Sequence, residues 1–225
     1  MLQVVGMLKE FCTSKTNRAA ARTGLPVHRC VWHLRKDMDV WNSHFADSPC
    51  ALTVVATKGL ALLESKIEIN IFGVCDDGKI KKQIIEHTAS AAMRLGPAAV
   101  RAGDLLCLSA LYAADDEGVL PGVSASAGLQ YLGAPAQHQM RAILAAADEI
   151  CQRSGTSLDN VVRAHHFVAD LNIVYPALQI WQEKLPGAPI PFGAVRTPQP
   201  MPIPGCNLIV DACARYAGGT TERSA

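Results

Sequence analysis

The chain has 225 residues, 49% hydrophobic and 18% charged, with 21 basic and 20 acidic side chains for a net charge of +1. That length holds one large or two small domains, and that apolar share can bury a sizeable core. So small a net charge gives no long-range field to gather nucleic acid or an anionic membrane, and no apolar run approaches the ~20 residues that span a bilayer.

From the start of the chain, Val4, Met7, Leu8 and Phe11 recur at helical spacing, so Val4 to Cys12 is predicted to be a helix. Lys9, Lys15 and Arg18 follow the apolar residues rather than precede them, the reverse of a secretory signal, and the expected location is cytoplasmic. Pro26 to Leu34 reads as a strand, Lys36 to Phe45 as a short helix carrying Trp41, and Ala51 to Ala56 and Lys66 to Val74 as strands. In the last of these, Ile67, Ile69 and Ile71 alternate with Glu68 and Asn70, the mark of a half-buried strand. Lys82 to Glu86 is a further strand candidate.

Beyond Arg94, Ala99 to Arg101, a Gly103-Asp104 turn and Leu105 to Ala110 read as a β-hairpin, followed by a loop with Asp115, Asp116 and Gly118. Gln137 to Arg153 is the strongest helix, with Met140, Ile143, Leu144, Ala147, Ile150 and Cys151 forming one apolar stripe. Pro135 suits its first turn and Gly155 its end. Asn160 to Ala169, rich in Val and Phe, reads as a strand. Ile173 to Lys184 reads as a second helix entered after Asp170. Phe192 to Arg196 and Asn207 to Ala214 read as strands, and the run TPQPMPIPG between them is too proline-rich to pair centrally.

The order helix, strand, helix, strand, strand thus occurs twice. Val27-His28-Arg29-Cys30 aligns with Val161-Val162-Arg163-Ala164, Trp41 with Trp181, and Phe45 with Leu185. A repeat of domain length means duplication. The expected division is an incomplete repeat lacking its first strands over 1–75, a connection over 76–93, a complete domain over 94–216 and a flexible tail over 217–225. Missing opening strands would leave a bare sheet edge, so either coding sequence upstream of Met1 or cover by another subunit is expected. None of the eight cysteines forms a C-x-x-C pair, and most sit in apolar patterns, so buried thiols are expected rather than disulfides or a zinc site.

Gly96-Pro97, Ala102-Gly103-Asp104, Leu108-Ser109 and Ile143-Leu144 resemble the RidA/YjgF family, also called L-PSP endoribonucleases or enamine/imine deaminases. Gly155-Thr156-Ser157-Leu158-Asp159-Asn160-Val161-Val162-Arg163 carries the most specific part of the resemblance. The resemblance implies an α+β, chorismate-mutase-like fold: a mixed β-sheet with two helices on one face, here in tandem repeat. It implies a homo-oligomer, a trimer, with pockets between subunits for a small carboxylate-bearing ligand. It also implies hydrolytic deamination of enamine or imine intermediates without a cofactor. In that chemistry an Arg following a proline in the penultimate strand binds the substrate carboxylate, and a Glu in the last strand positions water.

The chain departs from that pattern. The family's Pro-x-Arg falls on Pro191-Phe192-Gly193, with Arg196 a few residues on. The family Glu falls on Ile209, with Asp211 two residues later on the same face, whereas the first repeat keeps Glu68 at the matching position. Two readings follow. One is a composite catalytic site of Glu68, Arg196 and Asp211 across an interface. The other is a non-catalytic, ligand-binding or regulatory protein in which Arg196 is a solvated strand end and Glu68 pairs with a surface Lys.

Tyr112, Arg101, Ser109 and His165 are candidate ligand contacts; Tyr112 and Arg101 fit core or interface packing equally well, and a core or interface histidine is the stronger reading of His165. His165 and His166 are adjacent on a strand, so they point to opposite faces. No phosphate-cradling glycine loop, metal-spaced cluster or Ser-His-Asp order is present, so no metal or cofactor is expected. An aromatic-basic strip is also lacking, which argues against RNA cleavage.

Overall fold

A computed structural model describes residues 2–11, 39–57, 67–75, 80–87, 96–115, 117–123, 135–197 and 201–216. The strands are β1 (Leu2–Phe11), β2 (Leu52–Thr57), β3 (Ile67–Cys75), β4 (Lys82–Ile85), β5 (Ala99–Ala102), β6 (Leu105–Leu108), β7 (Ala114–Asp115), β8 (Gly118–Val119), β9 (Val161–Val168), β10 (Phe192–Arg196) and β11 (Leu208–Arg215). The helices are α1 (39–45), α2 (Pro135–Arg153) and α3 (Val174–Lys184).

Six strands form a mixed sheet in the order β10-β9-β11-β6-β5-β4. β10 runs parallel to β9 and the remaining neighbours are antiparallel. The apolar stripe of α2 buries Met140, Ile143, Leu144 and Ile150 against Leu106, Ala164, Val168, Leu208 and Val210 of the sheet. Ala177, Ile180 and Trp181 of α3 join the same core. Both helices therefore lie on one face, the arrangement that the family resemblance implies. Gly155 ends α2 in the left-handed region, φ +81°, where a side chain would be strained. β4 lies in the expected connection over 76–93, yet it pairs with β5 and forms one edge of the sheet.

Strand side chains alternate, so Arg163, His165, Phe167, Ile209, Asp211 and Cys213 project from the face without helices. That face is covered as well. Val55 packs with Tyr112, Phe167 and Ile209, and Ala51 with Val100, Cys107 and Cys213. Residues 51–55 thus cross the helix-free face, and burying a side chain the size of Val55 contributes roughly 1.5–3 kcal/mol. The crossing is pinned by Ser109, whose hydroxyl donates to the Pro97 carbonyl at 2.6 Å and accepts from the Leu52 N–H at 3.0 Å. The Ala110 N–H donates to the Leu52 carbonyl at 3.1 Å.

A second sheet has the order β2-β1-β3, with β1 parallel to β2 and antiparallel to β3. Its order and directions match those of β10-β9-β11. The helix predicted over Val4 to Cys12 is instead strand β1. Four apolar residues at helical spacing are too few to outweigh Val4, Val5 and Gly6, which disfavour a helix, and ladders available on both sides. β1 holds the place that β9 holds in the larger sheet; the expected strand Pro26 to Leu34 lies outside the described residues.

No helix among the described residues is long and apolar enough to cross a membrane.

Candidate active site

The antiparallel register of β9 and β11 sets Arg163 opposite Cys213 and His165 opposite Asp211. All four lie on the helix-free face, and β6 adds Cys107 opposite Cys213. Asp211 is 2% exposed, and its Oδ1 accepts from the Arg163 Nη2 at 3.0 Å. The Arg163 side chain is 42% exposed, so it spans from a buried carboxylate to the surface. Burial pushes the Asp211 carboxyl up; the Arg163 guanidinium, then His165 and the donated hydroxyl of Thr53, draw it back. Thr53 is itself buried and belongs to β2, so the crossing segment contributes to the cluster.

Burial opposes the Arg163 charge, but the Asp211 carboxylate and the Cys213 and Cys107 sulfurs hold that charge firmly in place. Asp211 takes one Arg163 N–H, and the Cys213 sulfur lies beside the same guanidinium. The Arg163 Nε–H is buried with no acceptor among the described residues. A guanidinium has five donors, so this one retains capacity for a further anion.

His165 is half-buried and sits against Gly193, where a Cβ would come within 3.2 Å of its ring. His166 points the other way, as adjacent strand residues must. Its Nε2 accepts from the Trp181 indole N–H at 2.8 Å, and its Nδ1–H donates to the Gly193 carbonyl at 2.9 Å. The ring stacks on Phe192 at 3.7 Å, and burial pushes its pKa down to about 4. His166 is therefore a neutral tie between sheet and helix.

The other sequence candidates lie elsewhere. Arg196 is exposed at the end of edge strand β10, opposite Val168. It shares a face with Phe192, the helix side, and is not brought to Asp211. Glu68 stands opposite Lys9 in the β1–β3 register, and its side chain lies outside what the structure describes. The Arg101 guanidinium lies over the Tyr216 ring at 3.6 Å, and its Nε–H donates to the Gly103 carbonyl. Tyr112 is buried beside Val55, Phe167 and Ile209, where desolvation holds its hydroxyl well above its usual range. Ser109 ties residues 97 and 52 together.

Of the sequence candidates, Asp211 and His165 converge, joined by Arg163, Thr53, Cys107 and Cys213. The available signal was polar residues at alternate positions of otherwise apolar strands: Arg163 and His165 in one, Asp211 and Cys213 in the other. A separate cleft of about 280 Å³ opens between α1 and the Gly96-Pro97 turn, lined by Trp41, Phe45, Cys50 and Glu86 among others.

No protein-family model matches the chain, and no curated protein does. Solved structures do. YEO7 of yeast is 18% identical with a TM-score of 0.50, covering 61% of this chain and 100% of its own. Yeast Mmf1 is 14% identical with a TM-score of 0.50 over the same shares. RidA from an Antarctic Psychrobacter is 20% identical with a TM-score of 0.49, over 60% of this chain and 99% of its own. The two likenesses at a TM-score of 0.50 show the fold alone, which is the RidA/YjgF fold.

Proposed function

We propose that the protein hydrolyses small enamine or imine intermediates that carry a carboxylate, at the cluster of Arg163, His165 and Asp211. The observation that carries this reading is the ion pair between half-exposed Arg163 and buried Asp211, with His165 opposite Asp211 on the next strand. In this reading the outward donors of the Arg163 guanidinium receive the substrate carboxylate. Asp211 fixes the guanidinium from behind, and His165 passes the proton of the attacking water. Water adds to the C=N carbon; the resulting carbinolamine collapses to a ketone and releases ammonia.

The reading also takes the chain as a tandem of two RidA-type repeats, the first being incomplete. Support comes from the matching order and directions of β2-β1-β3 and β10-β9-β11. The site then lies between the repeats, with Thr53 of the first against Asp211 of the second. Oligomerisation to a trimer belongs to the same reading.

The test is to generate 2-iminopropionate from alanine with an amino-acid oxidase and catalase, and to follow pyruvate release. A rate well above spontaneous hydrolysis is expected. The spontaneous rate, unchanged at stoichiometric protein, would overturn the reading.

A further inference from the structure

Cys107 and Cys213 face each other across the β6–β11 pair, with sulfurs 3.3 Å apart. Both are free thiols and both are buried. Directly opposed residues of an antiparallel pair have Cα atoms about 4.5–5.5 Å apart, within the span a disulfide bridges. Neither thiol touches substrate in the imine hydrolysis proposed above, although both lie beside Arg163. We propose that Cys107 and Cys213 form a modification site, a two-cysteine centre that a hydroperoxide converts to a cross-strand disulfide beneath Ala51.

Three observations separate this pair from the other described cysteines. The first is the approach of the two sulfurs. The second is Arg163, which stands opposite Cys213 in the β9–β11 register and whose half-exposed side chain reaches from the pair toward solvent. The third is the division of charge. Either thiol can donate to the other, but the neighbouring guanidinium favours the anion on Cys213. The hydrogen bond from Cys107, with help from Arg163, draws Cys213 below the usual thiol range despite burial. Burial instead pushes Cys151 up to about 12 and Cys206 up to about 11. The thiolate is the nucleophile, so Cys213 reacts first.

The chemistry balances. The Cys213 thiolate attacks one oxygen of the hydroperoxide and displaces hydroxide, leaving a sulfenic acid. The Cys107 sulfur then attacks that sulfenic sulfur, loses its proton and expels a second hydroxide. With hydrogen peroxide, two thiols surrender two electrons and two hydrogens, and the peroxide leaves as two waters. The bond closes a loop between residues 106 apart in sequence.

The full-length protein is treated with hydrogen peroxide, alkylated, digested without reductant and examined by mass spectrometry. A linked Cys107–Cys213 peptide, lighter by two hydrogens and released by dithiothreitol, is expected before Cys151 or Cys206 oxidises. The Tm is expected to rise by about 10 °C over the reduced protein. Cys213→Ser loses the link and the rise, whereas Cys151→Ser keeps both. Wild-type protein in which Cys151 or Cys206 oxidises while Cys107 and Cys213 are still alkylated overturns the proposal. So does Cys213 halted at the sulfinic acid with Cys107 free. Both of those readouts use the unaltered chain, so they hold even if a variant fails to fold.

Discussion

The Arg163 guanidinium meets the Asp211 carboxylate at 3.0 Å on the face of the sheet that carries no helix. One partner is half-exposed and the other is buried, so the two ends of the bond are not equivalent. Removing Asp211 lets the guanidinium turn to water. Removing Arg163 strands a buried carboxylate.

The first expectation follows from that asymmetry. Arg163→Ala should destabilise the fold by about 2–3 kcal/mol, below the range for fully buried pairs because one partner already reaches solvent. Asp211→Asn should cost about 1 kcal/mol. The double variant should be less destabilised than the sum of the two. Urea denaturation of all four proteins measures this, and strict additivity would show that the pair is uncoupled.

His166 sets the acid limit. Its pKa falls from 6.5 in the unfolded chain to about 4 in the fold, because burial disfavours the imidazolium. Above pH 6.5 both states are neutral and the group contributes nothing. Below it the unfolded chain takes up the proton and the fold does not, so about 3 kcal/mol is withdrawn between pH 6.5 and 4. His166→Gln should start less stable but lose less over that window. An identical pH slope in the variant would rule His166 out as the cause.

Ser109→Ala should cost about 2–3 kcal/mol, since it leaves the Leu52 N–H and the Pro97 carbonyl without their buried partner. The effect should be local first. Amide exchange at Leu52 should quicken far more than at Ile143 in the main core, which hydrogen-exchange NMR resolves. Equal acceleration at both sites would mean that the serine does not pin the crossing segment.

Gly96→Ala tests the same junction by sterics. A Cβ there would lie 2.8 Å from the Cys50 carbonyl oxygen, a backbone atom that cannot swing aside. We expect a loss of about 1–3 kcal/mol. Gly122→Ala serves as the contrast for crowding, because its Cβ would meet nothing within 4 Å, although its φ of +78° adds backbone strain. Higher stability for Gly96→Ala than for wild type would contradict the close approach.

Much of the six-stranded sheet and its two helices was legible from the sequence. Phe192 to Arg196 was placed to the residue, fenced by Pro191 and by the proline-rich run after Thr197. The α2 stripe and its Gly155 stop were equally plain. β1 was not, because the strands on either side of it, β2 and β3, lie more than a loop away in sequence and decide its state. Alternation correctly sent His165 and His166 to opposite faces. It could not say which face a distant segment would cover, so Thr53 went unnoticed. Arg196 attracted attention by its nearness in sequence to the family arginine, yet strand parity puts it on the helix side. Arg163 stood inside the family-like stretch and was read only as part of it.

The central claim is that chemistry occurs at the Arg163–Asp211 pair, and the kcat of Asp211→Asn on 2-iminopropionate tests it most directly. Because Asp211 positions the substrate-binding guanidinium, a fall of about 100-fold is expected, with a cooperative thermal transition retained. A wild-type kcat in a folded Asp211→Asn protein would contradict the claim and move the chemistry away from this face.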